Sequence, residues 1–317
     1  MKKLILIFIM LVALFIFFYG CEKTAKPALD KSLSYTKLSE SDILNNYDED
    51  VKRSLRKLIA TGKCLTCTFV GVTLSGKNLK GVTLTSSNLA AANLASSNLE
   101  EADLYLTDLS ETNLNQANLE MANLSRADLS EANLNQANLE GANLSRADLS
   151  KANLYKANLY LTNLEKANLY QANLSEAKLS GTDLIRANLY KANLTRATLM
   201  RANLEGAHLG GTSLSVANLY KANLEEANLS GADLSGAYLE GADLRGAYLS
   251  GANLSKAHLE EVNLHGAFLS RVNMREADLS GADLSEAHLK NILNLDSAII
   301  CKTIFPWGEE NAGCEKK

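Results

Sequence analysis

Nine side chains in this chain have the chemistry to bind or react, and their spacing limits what each can do. Cys64 and Cys67 stand three apart, and Cys301 and Cys314 thirteen apart near the other end. Two such thiols can form a disulfide or hold a metal, but a single C-x-x-C with no second pair nearby is a weak metal signature. A fifth cysteine, Cys21, follows a long apolar run. The four histidines, His208, His258, His265 and His288, have no Ser or Cys beside them in a nucleophile setting. No Gly-rich phosphate-binding motif occurs. The residues that could do chemistry therefore converge on no reaction, and the chain reads as non-enzymatic with no cofactor and no metal.

What positions these residues is a period of five. From residue 74 to residue 289 every fifth residue is Leu in 43 of 44 cases, the exception being Met274. Two residues earlier stands Ala in 32 of the 44, with small or β-branched exceptions such as Val72, Thr107, Thr162 and Val262. One residue earlier stands Asn or Asp in 33 of 44. Steps of five on an α-helix would wind round its whole surface, and on a straight strand they would alternate between faces. The pattern works only if the chain bends once per unit, so that Ala and Leu both point inward and the bends coil it into a solenoid. Residues 113–130 and 133–150 differ only at Met121 against Gly141. That secondary period of 20 predicts four units per coil, hence a square cross-section.

This unit, Ala-Asn/Asp-Leu-x-x, resembles the repeat of the pentapeptide-repeat family. The resemblance implies an all-β solenoid, a right-handed four-sided (quadrilateral) parallel β-helix. It also implies an inward Leu, an inward small residue two before it, and three outward positions. It implies no single activity: the best-known members mimic DNA and bind topoisomerases, and many have no known role. The stretches from Cys64 to Phe69 and from Cys301 to Pro306, with Gly313-Cys314, resemble terminal motifs common in the family. About eleven or more coils at about 4.8 Å give a rod roughly 53 Å long. Pro27 and Pro306 both lie outside the array, as strand pairing demands.

Five segments follow. Residues 1–20 read as a signal or membrane segment: Lys2 and Lys3 precede an apolar run from Leu4 to Tyr19. The Gly20-Cys21 ending resembles a bacterial lipoprotein signal with Cys21 lipidated, although Phe18 and Tyr19 depart from the usual small or aliphatic residues. An uncleaved anchor is the alternative. Residues 21–47 form a polar tether. Residues 48–62 carry Val51, Leu55, Leu58 and Ile59 at helical spacing, acids first and Gly62 after the end, which predicts a short capping helix over the first coil. Residues 63–305 are the β-helix, and residues 306–317 a tail. After Leu289 the frame slips by one, with Leu293 and Ala298 expected to keep the inward partner position. A rod separates its two ends by far more than the about 7 Å a disulfide spans. Within one chain Cys64–Cys67 and Cys301–Cys314 remain, in an exported compartment that permits them.

Function is hinted at only by outward columns. Arg126, Arg146, Lys166 and Arg186 share one slot in four successive coils, and Glu100, Glu120 and Glu140 share another on the preceding face. Residues 146–201 hold nine bases against four acids, whereas residues 97–145 hold nine acids against one base. Tyr155, Tyr160, Tyr170 and Tyr190 lie in the same basic band. Period 20 also stacks His258 between Tyr238 and Asp278, and His288 after Tyr248 and Phe268. The bland reading is a set of solvated faces copied by repeat duplication. The functional one is a band that docks an anionic surface or an unidentified protein, rather than nucleic acid. Taken together, the chain reads as an exported, membrane-tethered scaffold of the cell envelope. The rival, a topoisomerase-binding DNA mimic, needs a continuous acidic surface and a cytoplasmic location.

Overall fold

The computed structural model describes residues 47–314. The expected signal segment, Cys21 and the tether up to residue 46 lie outside them. No helix among the described residues is long and apolar enough to cross a membrane.

Each residue in the Asn/Asp position bridges the residue 20 positions on in a parallel register, from Lys63↔Thr83 to Asn273↔Leu293. Four pentapeptides thus make one coil, and every column repeats at 20. Inward, the central Leu of each unit up to Leu284 is buried, with Leu124, Leu154 and Leu254 all at 0% exposure, and Leu289 at the end of the array is half-buried. The Ala two before it is buried beside it. Small size suits that position because two inward side chains per unit must fit one narrow axis. Where Thr replaces Ala, its hydroxyl stays satisfied: Thr162 Oγ1 donates to Leu139 O at 2.8 Å and Thr182 Oγ1 to Leu159 O at 2.7 Å.

The backbone of one unit accounts for all its donors, as a buried or paired chain must. In residues 123–127, Asn123 N donates back to Ala102 O at 2.9 Å, while Leu124 N and Arg126 N donate forward to Asn143 O and Ser145 O at 2.7 and 3.0 Å. Ala127 N closes the turn on Leu124 O at 3.0 Å. The remaining donor, Ser125 N, finds the Asn123 Oδ1 at 3.2 Å. The turn takes the type II form, in which the third of its four residues has positive φ; Arg126 has φ 58°. Asn or Asp therefore earns its place locally, as a side chain that completes the turn. Between coils the amides also chain together, Asn158 Nδ2 donating to Asn138 Oδ1 at 2.9 Å and Asn138 Nδ2 to Asn118 Oδ1 at 3.0 Å.

Before the first bridge lies helix α1, Glu49–Thr61. Asp48 caps it by accepting from Val51 N at 2.9 Å, and Gly62, with φ 66°, ends it by donating to Leu58 O at 2.7 Å. Val51, Leu55 and Leu58 join the same apolar core as Phe69 and Leu74. Ile59, expected on that stripe, is half-buried, and Ser54 takes the fourth buried place; positions 51, 54, 55 and 58 share one helical face.

The other end departs from the sequence expectation. Leu293 is 49% exposed, because it occupies the outward bridging position opposite Asn273, and Ile292 takes the inward one. The extra residue enters later: the register becomes Asp278↔Ile299 and Asp283↔Ile304, a step of 21 rather than 20. Between them Asn294 adopts φ 57° and Leu295–Ser297 form a 3-10 turn. Ala298 does return inward, at 6% exposure. A short antiparallel hairpin follows, β1 (Thr303–Phe305) and β2 (Gly308–Glu310), with the Phe305 and Trp307 rings stacked at 4.9 Å.

Candidate functional site

With the backbone spent on pairing, recognition falls to the outward side chains, and two adjacent columns differ in how they are held. Arg126, Arg146, Lys166 and Arg186 all sit in the positive-φ turn position, at 58°, 59°, 58° and 54°, and all are exposed. The column stops sharply: Leu106 precedes it, 46% exposed, and Gly206 follows it with no side chain. Lys166 pairs with Glu165. Among the described residues, Arg126, Arg146 and Arg186 form no ion pair. Glu165 lies inside this field. The hydrogen bond and charge of Lys166, with Arg146 and Arg186 beyond, hold its carboxyl below the usual carboxylate range.

The acidic column on the preceding face is tied down instead. Glu100 meets Lys80 Nζ at 2.6 Å, and that hydrogen bond raises the lysine above its ordinary range. Glu120 and Glu140 accept from Asn138 Nδ2 and Asn158 Nδ2 at 3.2 and 3.1 Å. Elsewhere in the basic band Lys151 pairs with Glu131 at 2.7 Å and Lys156 with Glu176 at 3.4 Å. The net positive charge left unpaired is thus smaller than the residue count implies, and the arginine column is its most continuous part.

The four tyrosines share the band's level along the coils but not its face. Tyr170 and Tyr190 stack at 6.2 Å on one side, and Tyr155 lies under Lys156, whose Nζ is 4.9 Å from the ring centre. Tyr160 lines a shallow groove with Leu161, Ser180, Gly181, Met200 and Arg201. They are spread over the three remaining faces, since their positions in the 20-residue coil differ from that of Arg126.

Toward the end of the array aromatic side chains take over the bridging position. Tyr248, Phe268 and His288 stack at 4.8 and 4.6 Å, and His258 lies on Tyr238 at 4.7 Å. His265 Nδ1 is 2.9 Å from Ser285 Oγ. The register keeps His258 between Tyr238 and Asp278, as the period of 20 predicts. It also brings His258 to Glu240 and Glu260, two outward residues of a neighbouring position on the same face. Column bookkeeping at a single position missed them; comparing positions two apart within a unit would have found Glu260.

The cysteines lie at the two ends. Cys64 and Cys67 are bonded with Cα atoms 5.6 Å apart, and Cys301 and Cys314 with Cα atoms 4.7 Å apart. Bonded sulfurs offer no thiolates, so in this state Cys64 and Cys67 are not a metal pair.

The family model described as pentapeptide repeats matches residues 87–126, 122–160, 162–199, 197–236, 227–266 and 252–291. Comparison with curated proteins finds no match. Among solved structures, the chain is similar to Rfr23, a pentapeptide repeat protein from the cyanobacterium Cyanothece 51142. Identity there is 36%, over 36% of this chain and 92% of that one, with a TM-score of 0.36. A second is HetL, involved in heterocyst differentiation regulation in Nostoc sp. strain PCC 7120, at 31% identity over 80% of this chain and 97% of that one, TM-score 0.25. A third, from the Arabidopsis thaliana thylakoid lumen, is 30% identical over 36% of this chain and 69% of that one, TM-score 0.25.

Proposed function

Because the chain belongs to the pentapeptide-repeat family, we propose that it is a non-enzymatic interaction scaffold, exported and held at a membrane by its N-terminus. In this reading the solenoid is a right-handed four-sided β-helix of about eleven coils, with α1 as its N-terminal cap. Residues 21–47 are the tether, and the tail from 306 closes the other end. Lys2, Lys3, the run Leu4–Tyr19 and Gly20-Cys21 support export with lipidation at Cys21.

The observation that carries the interaction role is the column Arg126, Arg146, Lys166 and Arg186. It stacks exposed cations in successive coils and leaves three of the four unpaired among the described residues. Like charges at that spacing repel, and an anionic surface laid along them would relieve the repulsion. The basic band of residues 146–201 interrupts the continuous acidic surface that a DNA mimic would need.

Two measurements test the proposal. Cell fractionation with a palmitate label should place the protein in the membrane fraction and label it, and Cys21→Ser should lose the label; a soluble cytoplasmic protein would refute the tether. Reversing all four basic residues to Glu should abolish salt-sensitive binding to anionic vesicles while leaving the fold intact, since surface changes usually cost under about 0.5 kcal/mol each. Reversal of Glu100, Glu120 and Glu140 is the control and should not weaken it. Equal binding by wild type and the four-site variant would return the column to a solvated face.

A further inference from the structure

We infer that Glu240, His258 and Glu260 form a binding site for a divalent first-row transition ion such as Zn2+. One potential ligand atom from each of the three lies within 4.8 Å of the other two, and His258 Nδ1 stands 3.8 Å from Glu260 Oε1. Around an ion with bonds of about 2.0–2.2 Å, tetrahedral ligand atoms sit about 3.4 Å apart. Rotation of the two carboxylate side chains covers that difference without moving the backbone. The backbone itself is held, because His258 N donates to Ala237 O at 2.9 Å and Gly241 N to Glu260 O at 2.9 Å.

Three independent features point to a cation at this place. Glu260 Oε2 is shut off from solvent and has no hydrogen-bond partner, a costly state for a carboxylate oxygen unless something positive faces it. Glu240 and Glu260 stack one coil apart in one column, and among the described residues no Lys or Arg pairs with either. The His258 imidazole is already oriented, lying flat on Tyr238 at 4.7 Å with an interplanar angle of 8°. Imidazole with carboxylates suits Zn2+ and its first-row neighbours, whereas Ca2+ and Mg2+ take oxygen ligands throughout. Water would complete the coordination, since all three side chains are half-buried rather than enclosed. An ion there would join two successive coils beyond the end of the arginine column at Arg186, on the neighbouring face that Glu100, Glu120 and Glu140 share, so this site does not depend on the docking role proposed above.

The test titrates the full chain, disulfides intact and free thiols alkylated, with ZnCl2 by calorimetry and with Co2+ by visible absorption. One ion per chain is expected. Loss of an outer-shell partner alone costs about 10–100-fold in affinity, so His258→Phe and Glu260→Gln should each weaken binding by more than about 100-fold. Phe keeps the stack on Tyr238 while removing the ligand nitrogen, and melting curves check that both variants fold. His208→Ala, in the same position of another face, should bind as wild type does. Absence of saturable binding overturns the site, as does wild-type affinity in either His258→Phe or Glu260→Gln.

Discussion

The two halves of the solenoid solve the same turn differently. Of the 28 positive-φ turn positions from residue 66 to residue 201, five are glycine; of the 16 from 206 to 281, nine are glycine. An L-residue at positive φ costs about 1–2 kcal/mol relative to right-handed backbone. The first half thus keeps side chains where backbone physics favours none, and those side chains include the whole arginine column. The second half gives up that position and places its outward chemistry in the bridging one, where Tyr238, Tyr248, His258, Phe268 and His288 replace Asn. Each such replacement removes the side-chain acceptor that elsewhere completes the turn, as Asn123 does for Ser125. Stacked rings offset the loss by about 0.5–1.5 kcal/mol per pair. A pentapeptide has three outward positions; the one directly after the central Leu carries acids in both halves, as at Glu100 and Glu260, and the other two divide their surface chemistry between the halves.

Beneath that difference the core should be uniform, and the largest effect tests it. Leu154 and Leu254 are both fully buried, one in each half. Leu154→Ala and Leu254→Ala should each lower stability by about 2–5 kcal/mol in denaturant titrations, and Leu154→Glu by more, since it buries a charge without a partner. Markedly unequal alanine costs would mean that the halves differ inside as well as outside. Wild-type melting of Leu154→Glu would remove the inward assignment altogether.

The second effect reverses sign between the halves. Gly251, with φ 71° and nothing within 4 Å of where a Cβ would stand, isolates backbone strain from steric contact. The positive-φ cost of about 1–2 kcal/mol, less the entropy glycine loses on folding, about 0.5–1 kcal/mol, leaves a net of roughly 0.5–1 kcal/mol. Gly251→Ala should destabilise its coil by that amount, and Arg146→Gly should stabilise its own by a similar amount. Native-state hydrogen exchange of the amides that pair with each coil reads both. A loss in Arg146→Gly would show that the arginine contributes to the fold and is not held there against backbone preference.

Much of this was legible in the residues, for a physical reason. Period five with a paired Ala calls for one bend per unit, and the period of 20, which duplication can also produce, pointed to four stacked sides, so the columns of Arg126 and of His258 could be drawn from the sequence alone. Two things were not legible. Leu293 looks like a core residue by type, but hydrophobicity does not say on which side of a bridge the extra residue enters; the turn at Leu295–Ser297 decides that, and it leaves Leu293 outside. Glu240 and Glu260 look like solvated surface because their convergence on His258 depends on side-chain reach across positions, which a column count ignores. The role of Asn as turn acceptor was hidden for a related reason: its partner is the amide two residues on, a donor that carries no sequence signature.

The smallest effect sharpens the contrast between the free arginines and the pinned acids. Glu165 lies beside the basic column, where the hydrogen bond and charge of Lys166 hold its carboxyl below the usual carboxylate range. A depressed carboxylate is ionised through the neutral range and takes up its proton only as pH falls through the lowered folded value. The ion pair with Lys166 therefore persists above the unfolded pKa and is lost in acid. Its contribution to stability is negligible, because both side chains are well exposed. Its effect on the column's charge is not: Glu165→Gln frees Lys166 and raises the local net charge by one. If the column docks anionic surfaces, Glu165→Gln should strengthen salt-sensitive vesicle binding about two- to five-fold at neutral pH, consistent with about 1 kcal/mol per added charge near such a surface. Wild type should gain the same increment only as acid protonates Glu165, and the variant should gain nothing further from that step. Equal binding by the two proteins at neutral pH, at low salt, would mean that the charge of this column does not set the affinity.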